Sequence, residues 1–308
     1  MAATVTYDGG QADSTFDSTL DGGDASTFFP IEGPTVTPMP AGKPVPNVQV
    51  LIEDVDPATV VVNLYRLADG RTALVRGGIR KYAVGGASVV DWEAPFGVPV
   101  TYRAEMFSDD EATQSLGFTD STETLLDVRQ AWFHQPLTPT LAFSPTMLWG
   151  TGLERTRTTP GDLVYPQGAE IGTWIGGQRQ GLTDVPFSLL TDREGADAMQ
   201  TVFGRYGTNT SPVLCIRTPR DMRVPRTFYA VVPQVKESSL NRPGAGEAVQ
   251  FEFTATEARP PAPGLVAATL RRIDIDVTYP TRGQRAAAYL TRLARDSDYT
   301  LAGVAGDA

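Results

Sequence analysis

The sequence predicts an all-β protein with one packed helix: a fibronectin- or immunoglobulin-like sandwich, then a second, larger β-sandwich, with an extended N-terminal arm and a helical C-terminal tail. Three observations lead there. Among 308 residues are 30 Gly and 24 Pro, an excess that favours turns and short strands over helices. Apolar residues alternate along many short segments, the two-residue repeat of half-buried strands. Only one internal segment carries apolar residues at the 3.6-residue repeat. A hydrophobic content of 41% permits real cores, and the length allows two or three domains.

Residues 1–46 read as an arm. It contains Lys43 and no Arg, against Asp8, Asp13, Asp17, Asp21, Asp24 and Glu32, so it holds about half of the net charge of -10. Asp, Gly, Ser and Thr dominate, then Pro, and such a segment buries too little apolar area to offset its ordering entropy. Tyr7-Asp8-Gly9-Gly10 with Ser14-Thr15-Phe16 is echoed by Leu20-Asp21-Gly22-Gly23 with Ser26-Thr27-Phe28. One reading is a solvated leader; the other, favoured by Phe16, Phe28 and Phe29, is an arm that orders by laying aromatic anchors on a neighbouring subunit. The Asp-Gly-Gly pairs lack the ligand spacing of an EF-hand calcium loop.

Residues 47–129 read as the first sandwich. Val48, Val50 and Ile52 alternate, Val60 to Arg66 is a second apolar strand, and Asp69-Gly70 is a turn from which Thr72 to Arg76 pairs back. Gly77-Gly78 and Gly85-Gly86 bracket Ile79 to Val84. Asp91-Trp92-Glu93-Ala94-Pro95-Phe96-Gly97 is a short apolar turn feeding a strand whose Val98, Val100, Tyr102, Ala104 and Met106 share a face. Pro99 suits a strand start, and Tyr102 is expected to pack inward with its hydroxyl near the corner. After the charged loop Asp109-Asp110-Glu111, Glu123 to Val128 closes the sheet, giving the frequent-turn rhythm of a sandwich.

Residues 130–260 read as a β-sandwich with one helix at about 191–206. Trp132-Phe133-His134-Gln135-Pro136 opens it, and Leu163 to Pro166 and Ile171 to Ile175 are strand-like. Thr191 is the expected N-cap with Glu194 completing a capping box. Met199, Val202, Phe203 and Tyr206 form the apolar stripe, and Gly207 ends the helix. Pro212 to Arg217, Thr227 to Val235 and Ala248 to Thr256 are strands, the last with Val249, Phe251 and Phe253 on one face. In residues 261–308, Pro260-Pro261-Ala262-Pro263-Gly264 marks a linker. Ile273, Ile275 and Val277 alternate as a short strand, and Gly283 to Ala294 is helical, with Arg282, Arg285, Arg292 and Arg295 forming a basic patch.

Chemistry is sparse. Cys215 is a lone cysteine in an apolar strand, which excludes an intrachain disulfide framework and a Cys-based zinc site. His134 is the only histidine, its neighbours favour a structural role, and no multi-His metal site is possible. No Gly-x-Ser-x-Gly elbow or phosphate-cradling glycine loop occurs. Asp109 with Asp110, and Asp274 with Asp276, are the carboxylate pairs a glycosidase would need, but acidic residues are numerous enough to produce such pairs by chance. The expectation is no enzyme, no catalytic, cofactor-binding or metal residues, and no cofactor. An acidic pI of about 4.7 argues against a nucleic-acid partner. No apolar run is long enough for a membrane span, and no signal peptide is evident. Trp149, Trp174, Tyr165 and Tyr206 are candidates for stacking on sugar rings, although burial in a core explains the same residues more simply.

Several segments resemble the minor tail proteins of actinobacterial siphophages. The run Asp91 to Tyr102 looks like their fibronectin-like segment, and Trp132 to Pro136 like the opening of their second β domain. Ser188 to Thr191, the helix after it, Val213-Leu214-Cys215-Ile216-Arg217-Thr218-Pro219 and Phe228-Tyr229-Ala230-Val231 resemble that domain's centre. The likeness covers about residues 45–260 and leaves the arm and the Arg-bearing tail unmatched. It implies a structural subunit of the tail tip, distal in the virion and assembled in the host cytoplasm. Such a subunit forms a ring or trimer and joins the tail tube, tape measure and tip neighbours to the host-recognition apparatus. The alternative is a carbohydrate-binding host-adhesion module.

Overall fold

The computed structural model describes residues 31–204, 210–240, 248–264, 270, 272–296, 298 and 301. The acidic arm up to residue 30, with its phenylalanines, and Tyr206 and Gly207 lie outside the described residues; the helix expected to run to about 206 ends earlier, at Phe203, with Gly204 and not Gly207 as its C-cap. The chain is mostly strand with little helix, as the alternating sequence predicts.

The first sandwich has two sheets. One has the order β1-β2-β6, formed by β1 (Thr35–Met39), β2 (Asn47–Ile52) and β6 (Ala87–Asp91). The other is centred on β3 (Val61–Ala68) and β7 (Pro99–Phe107). Around them pair β4 (Arg71–Leu74), β5 (Lys81–Tyr82), β8 (Ser115–Phe118) and β9 (Thr122–Leu125). Sequence composition places Thr35–Met39 in the arm; its pairing with β2 makes it an edge strand of the sandwich instead. Asp69 (φ 49°) and Gly70 (φ 70°) both take the positive φ that a tight two-residue hairpin requires, closing β3 on β4. Between the sheets Val48, Val50, Ile52, Leu64, Val100, Tyr102, Ala104 and Met106 form one buried cluster, so the alternation read along β2 and β7 is the core-facing set.

The second sandwich also has two faces, and one long strand joins them. β10 (Trp132–His134), β11 (Ala142–Phe143), β18 (Val213–Arg217) and β19 (Thr227–Val231) form one side, in the order β11-β10-β18-β19. β12 (Thr146–Met147), β17 (Val185–Thr191), β20 (Val235–Ser239) and most of β21 (Val249–Glu257) form the other. The end of β21 crosses over, where Thr256 and Glu257 pair with Val231 and Ala230 of β19. Phe133 stacks on Phe143 at 5.0 Å and meets Phe187 edge-on at 5.8 Å, so aromatic rings span the two sides.

The helix α1 (Arg193–Phe203) packs Ala196, Met199 and Val202 into this core. Its cap differs from the sequence expectation. Thr191 is still in β17, paired with Val249, so the N-cap falls on Asp192, whose carboxylate accepts from Gly195 N at 2.9 Å. Between β12 and β17 the chain leaves the sandwich to form two small ribbons. β13 (Thr156–Arg157) pairs with β16 (Leu182–Thr183), and β14 (Gly161–Val164) with β15 (Thr173–Gly176).

The tail departs further from expectation. Ile273 to Val277 is not a strand: α2 (Arg272–Thr278) is helical, with Ile275 buried while Ile273 and Val277 are exposed. An alternating I-x-I-x-V run fits a strand only when a sheet edge is there to pair it. Here Arg272 and Asp276 sit one helical turn apart at 3.6 Å and support the helix. The expected 283–294 helix is split into α3 (Arg282–Ala288) and α4 (Arg292–Asp296) by Tyr289, whose backbone is extended. Thr281 and Gln284 form a full capping box at the start of α3. Acidic neighbours offset part of the basic patch, since Arg285 pairs with Asp276 at 2.8 Å and Arg295 with Asp296 at 2.6 Å.

Candidate functional site: a sealed charged junction and an exposed apolar ribbon

The turn Asp91–Gly97 lies between the two sandwiches. One face of the β10-β18-β19 sheet packs Phe133, Ile216 and Phe228 into its own core. The other face carries Trp132, Arg217 and Thr227 in one cross-strand row, and His134, Cys215 and Tyr229 in the next. That polar face receives the turn. Thr227 Oγ1 donates to Glu93 O at 3.0 Å, Tyr229 Oη donates to Glu93 Oε2 at 2.6 Å, and Arg217 Nη1 donates to Ala94 O at 3.3 Å. The Arg217 guanidinium lies 4.5 Å from the Phe96 ring centre. Gly97 (φ 66°) lets the turn pass Arg220, whose Cβ would stand 3.2 Å from any side-chain carbon placed there.

From the first sandwich, two arginines clamp the carboxylates of the same turn. Arg66 Nη1 reaches both Asp91 oxygens at 2.8 Å, and Arg76 Nε reaches Glu93 Oε1 at 2.8 Å. Tyr102 Oη donates to Asp91 Oδ2 at 2.9 Å, the inward tyrosine expected at this corner. Arg76 also donates to Pro261 O and Ala262 O, so the proline linker leaving the second sandwich is held against the first. Val45, Val90 and Trp92, with Trp132 and Ala142 against them, form an apolar collar. Arg66, Arg76, Asp91, Glu93 and Arg217 are all buried.

Burial governs the electrostatics of this junction. It opposes the Arg66 charge, but attraction to Asp91 and other neighbours holds that guanidinium above its ordinary value. Among the described residues Arg217 has no such partner at contact distance, and burial brings it down to about 10. Burial, then Arg217 and Arg76, pushes His134 well below the usual imidazole value, so it is neutral. Burial raises Tyr102 and Tyr229, with Asp91 and Glu93 adding to it. Cys215 is a buried thiol raised by desolvation, as its apolar strand implies.

The β14–β15 ribbon is the opposite kind of feature. By register, Leu163 and Trp174 share one face, and Val164 and Ile175 fall on the other. All four are exposed, as are Tyr165 and Ile171 at the turn end, so the ribbon carries apolar groups on both faces and covers neither. Trp174 lies across the facing Gly161 and Gly176, where any side chain would collide with its indole. A two-stranded ribbon is marginal on its own. At its base Leu182 is buried in the core and its N–H donates to Glu257 Oε2 at 2.8 Å.

Of the carboxylate pairs, Asp109 and Asp276 are engaged in local contacts. Asp109 closes its own turn, accepting from Thr113 N and Gln114 N, and those bonds hold its carboxyl below the usual range. Asp274 is buried on α2, while Asp276 pairs with arginines. Among the described residues, no cluster of three His, Cys, Asp or Glu side chains is placed to hold a metal, and no helix is long and apolar enough to cross a membrane. Of the aromatic candidates, Tyr206 lies outside the described residues, and Trp149, Tyr165 and Trp174 are not core residues: Trp149 is 92% exposed and Tyr165 60%. Trp149 borders a groove of about 600 Å³ lined also by Arg129, Gln130, Ser144 and Asp221.

Sequence reasoning missed Asp91, Glu93, Arg66, Arg76 and Arg217 as a group. The available signal was an ionisable residue in each of several otherwise apolar segments, with Arg66 in phase with the buried Val62 and Leu64. No protein-family model matches this chain, and none of the curated proteins matches it.

Proposed function

We propose that the chain is a structural subunit of a siphophage tail tip, joining the tail tube to the host-recognition apparatus through repeated contacts between copies. The carrying observation is the β14–β15 ribbon, whose two apolar faces suit burial against another subunit. The junction supports the same reading. Two sandwiches tied by hydrogen bonds from Tyr229, Thr227 and Arg217 to one turn, and by Arg76 to the returning linker, make a rigid block, as a load-transmitting ring needs. Exposed ribbon edges offer backbone groups for pairing across a subunit boundary. Reconstruction of purified virions, with mass spectrometry of their composition, tests this. Stoichiometric copies at the tip with the ribbon buried between neighbours support it, and absence from the particle refutes it.

A second reading, carbohydrate binding, is favoured by Trp149. An exposed indole beside Arg129, Gln130 and Asp221 offers a stacking platform with polar groups for ring hydroxyls. A glycan array separates the two. Specific binding by the isolated chain that is lost in Trp149→Ala favours adhesion, and an array without hits favours the scaffold.

A further inference from the structure

The junction contains a set of hydrogen-bond donors that the protein itself does not satisfy. Arg217 is fully buried, and its one hydrogen bond among the described residues goes through Nη1 to Ala94 O. Its Nε and Nη2 meet no acceptor among the described residues. Trp132, its register partner on β10, has Nε1 sealed from solvent in the same state, as are both ring nitrogens of His134 two residues along. The nearby carboxylates are committed elsewhere: Asp91 takes Arg66 and Tyr102, and Glu93 takes Arg76 and Tyr229. Guanidinium and indole nitrogens only donate, and a buried donor without an acceptor is expensive, more so when charged. The Phe96 ring, 4.5 Å from the guanidinium carbon, offers no lone pair to its N–H groups.

We propose that Arg217 Nε and Nη2, together with Trp132 Nε1, bind a small monovalent anion, chloride under cellular conditions, sealed into the junction between the two sandwiches. A chloride accepts from several donors at once and supplies the negative charge that Arg217 lacks. A water molecule in the same place accepts as well, but it leaves the charge of Arg217 unbalanced. The anion acts as a stabilising ligand of the assembled junction, binding the folded chain and not the unfolded one.

Two measurements on the full chain test this. Crystals grown with bromide in place of chloride should show an anomalous peak within hydrogen-bonding distance of Arg217 Nη2 and Trp132 Nε1. The thermal midpoint, followed at constant ionic strength with gluconate replacing chloride, should rise by about 2–4 °C for each tenfold increase in chloride above its Kd. Arg217→Met should fold, because an apolar residue of similar length removes the need for the anion, and its midpoint should ignore chloride. Trp132→Phe deletes one donor, leaves Arg217 in place and should weaken the dependence; it keeps the test open if Arg217→Met is unstable. A bromide-free map with water at this position, or a wild-type midpoint that does not respond to chloride, overturns the proposal.

Discussion

At the junction, charged side chains from both sandwiches are sealed away from solvent, whereas on the β14–β15 ribbon large apolar side chains face it on both sides. Each region inverts the ordinary distribution, for opposite reasons. Buried charges are tolerated where each carboxylate of the turn has a guanidinium and a tyrosine, one of which, Tyr229, comes from the second sandwich. Exposed apolar groups gain little within a single chain, which is why the proposed function places them in contacts between copies. One region is satisfied within the chain; the other, on the proposed function, is satisfied by a neighbour.

If that contrast holds, substitutions at the junction should be costly and substitutions on the ribbon nearly silent. The largest effect is expected from Asp91→Ala, which strands Arg66 and frees Tyr102; a loss of about 3–5 kcal/mol in urea unfolding is expected. Pairing Asp91→Leu with Arg66→Met should recover much of it. A double variant no better than the single one would break the account of this region. Gly97→Val forces a branched side chain into positive φ against Arg220, and should cost about 1–3 kcal/mol in the same assay.

His134 gives a smaller, pH-dependent effect. It is held neutral in the folded chain, while the unfolded chain takes up a proton below its ordinary value of 6.5. The unfolded state therefore binds the extra proton as pH falls through 6.5. Stability drops by up to about 1.4 kcal/mol per pH unit until the depressed folded value is reached, and the group contributes nothing above 6.5. Unfolding midpoints from pH 7 to pH 5 should show a shallower slope in His134→Gln than in wild type. The smallest effect belongs to the ribbon: Leu163→Ser with Ile175→Ser should change monomer stability by about 0.5 kcal/mol or less. A large loss there would show that the ribbon serves its own fold.

The same contrast explains what could be read from the sequence. The core faces of β2, β7 and β21 were legible because a two-residue alternation admits one buried side. Asp69-Gly70 was legible because few residues accept that turn. The N-cap shifted from Thr191 to Asp192 because β17 runs on to pair with Val249, a tertiary fact. α2 was misread because Ile273, Ile275 and Val277 satisfy the strand pattern without a sheet to join. Leu163 to Ile175 reads as ordinary strand either way, since hydrophobicity does not say whether the covering surface is intramolecular. The junction was hidden more deeply: Arg217 and Phe96 meet only when two domains are docked.

The most direct test of the central claim is the solution mass of the full chain across a concentration series, measured by sedimentation equilibrium for wild type and for the Leu163→Ser, Ile175→Ser variant. The account predicts that wild type associates into a closed oligomer and that the variant, equally stable, stays monomeric. A wild type that remains monomeric at every concentration, with ribbon amides exchanging as freely as in the variant, would contradict it.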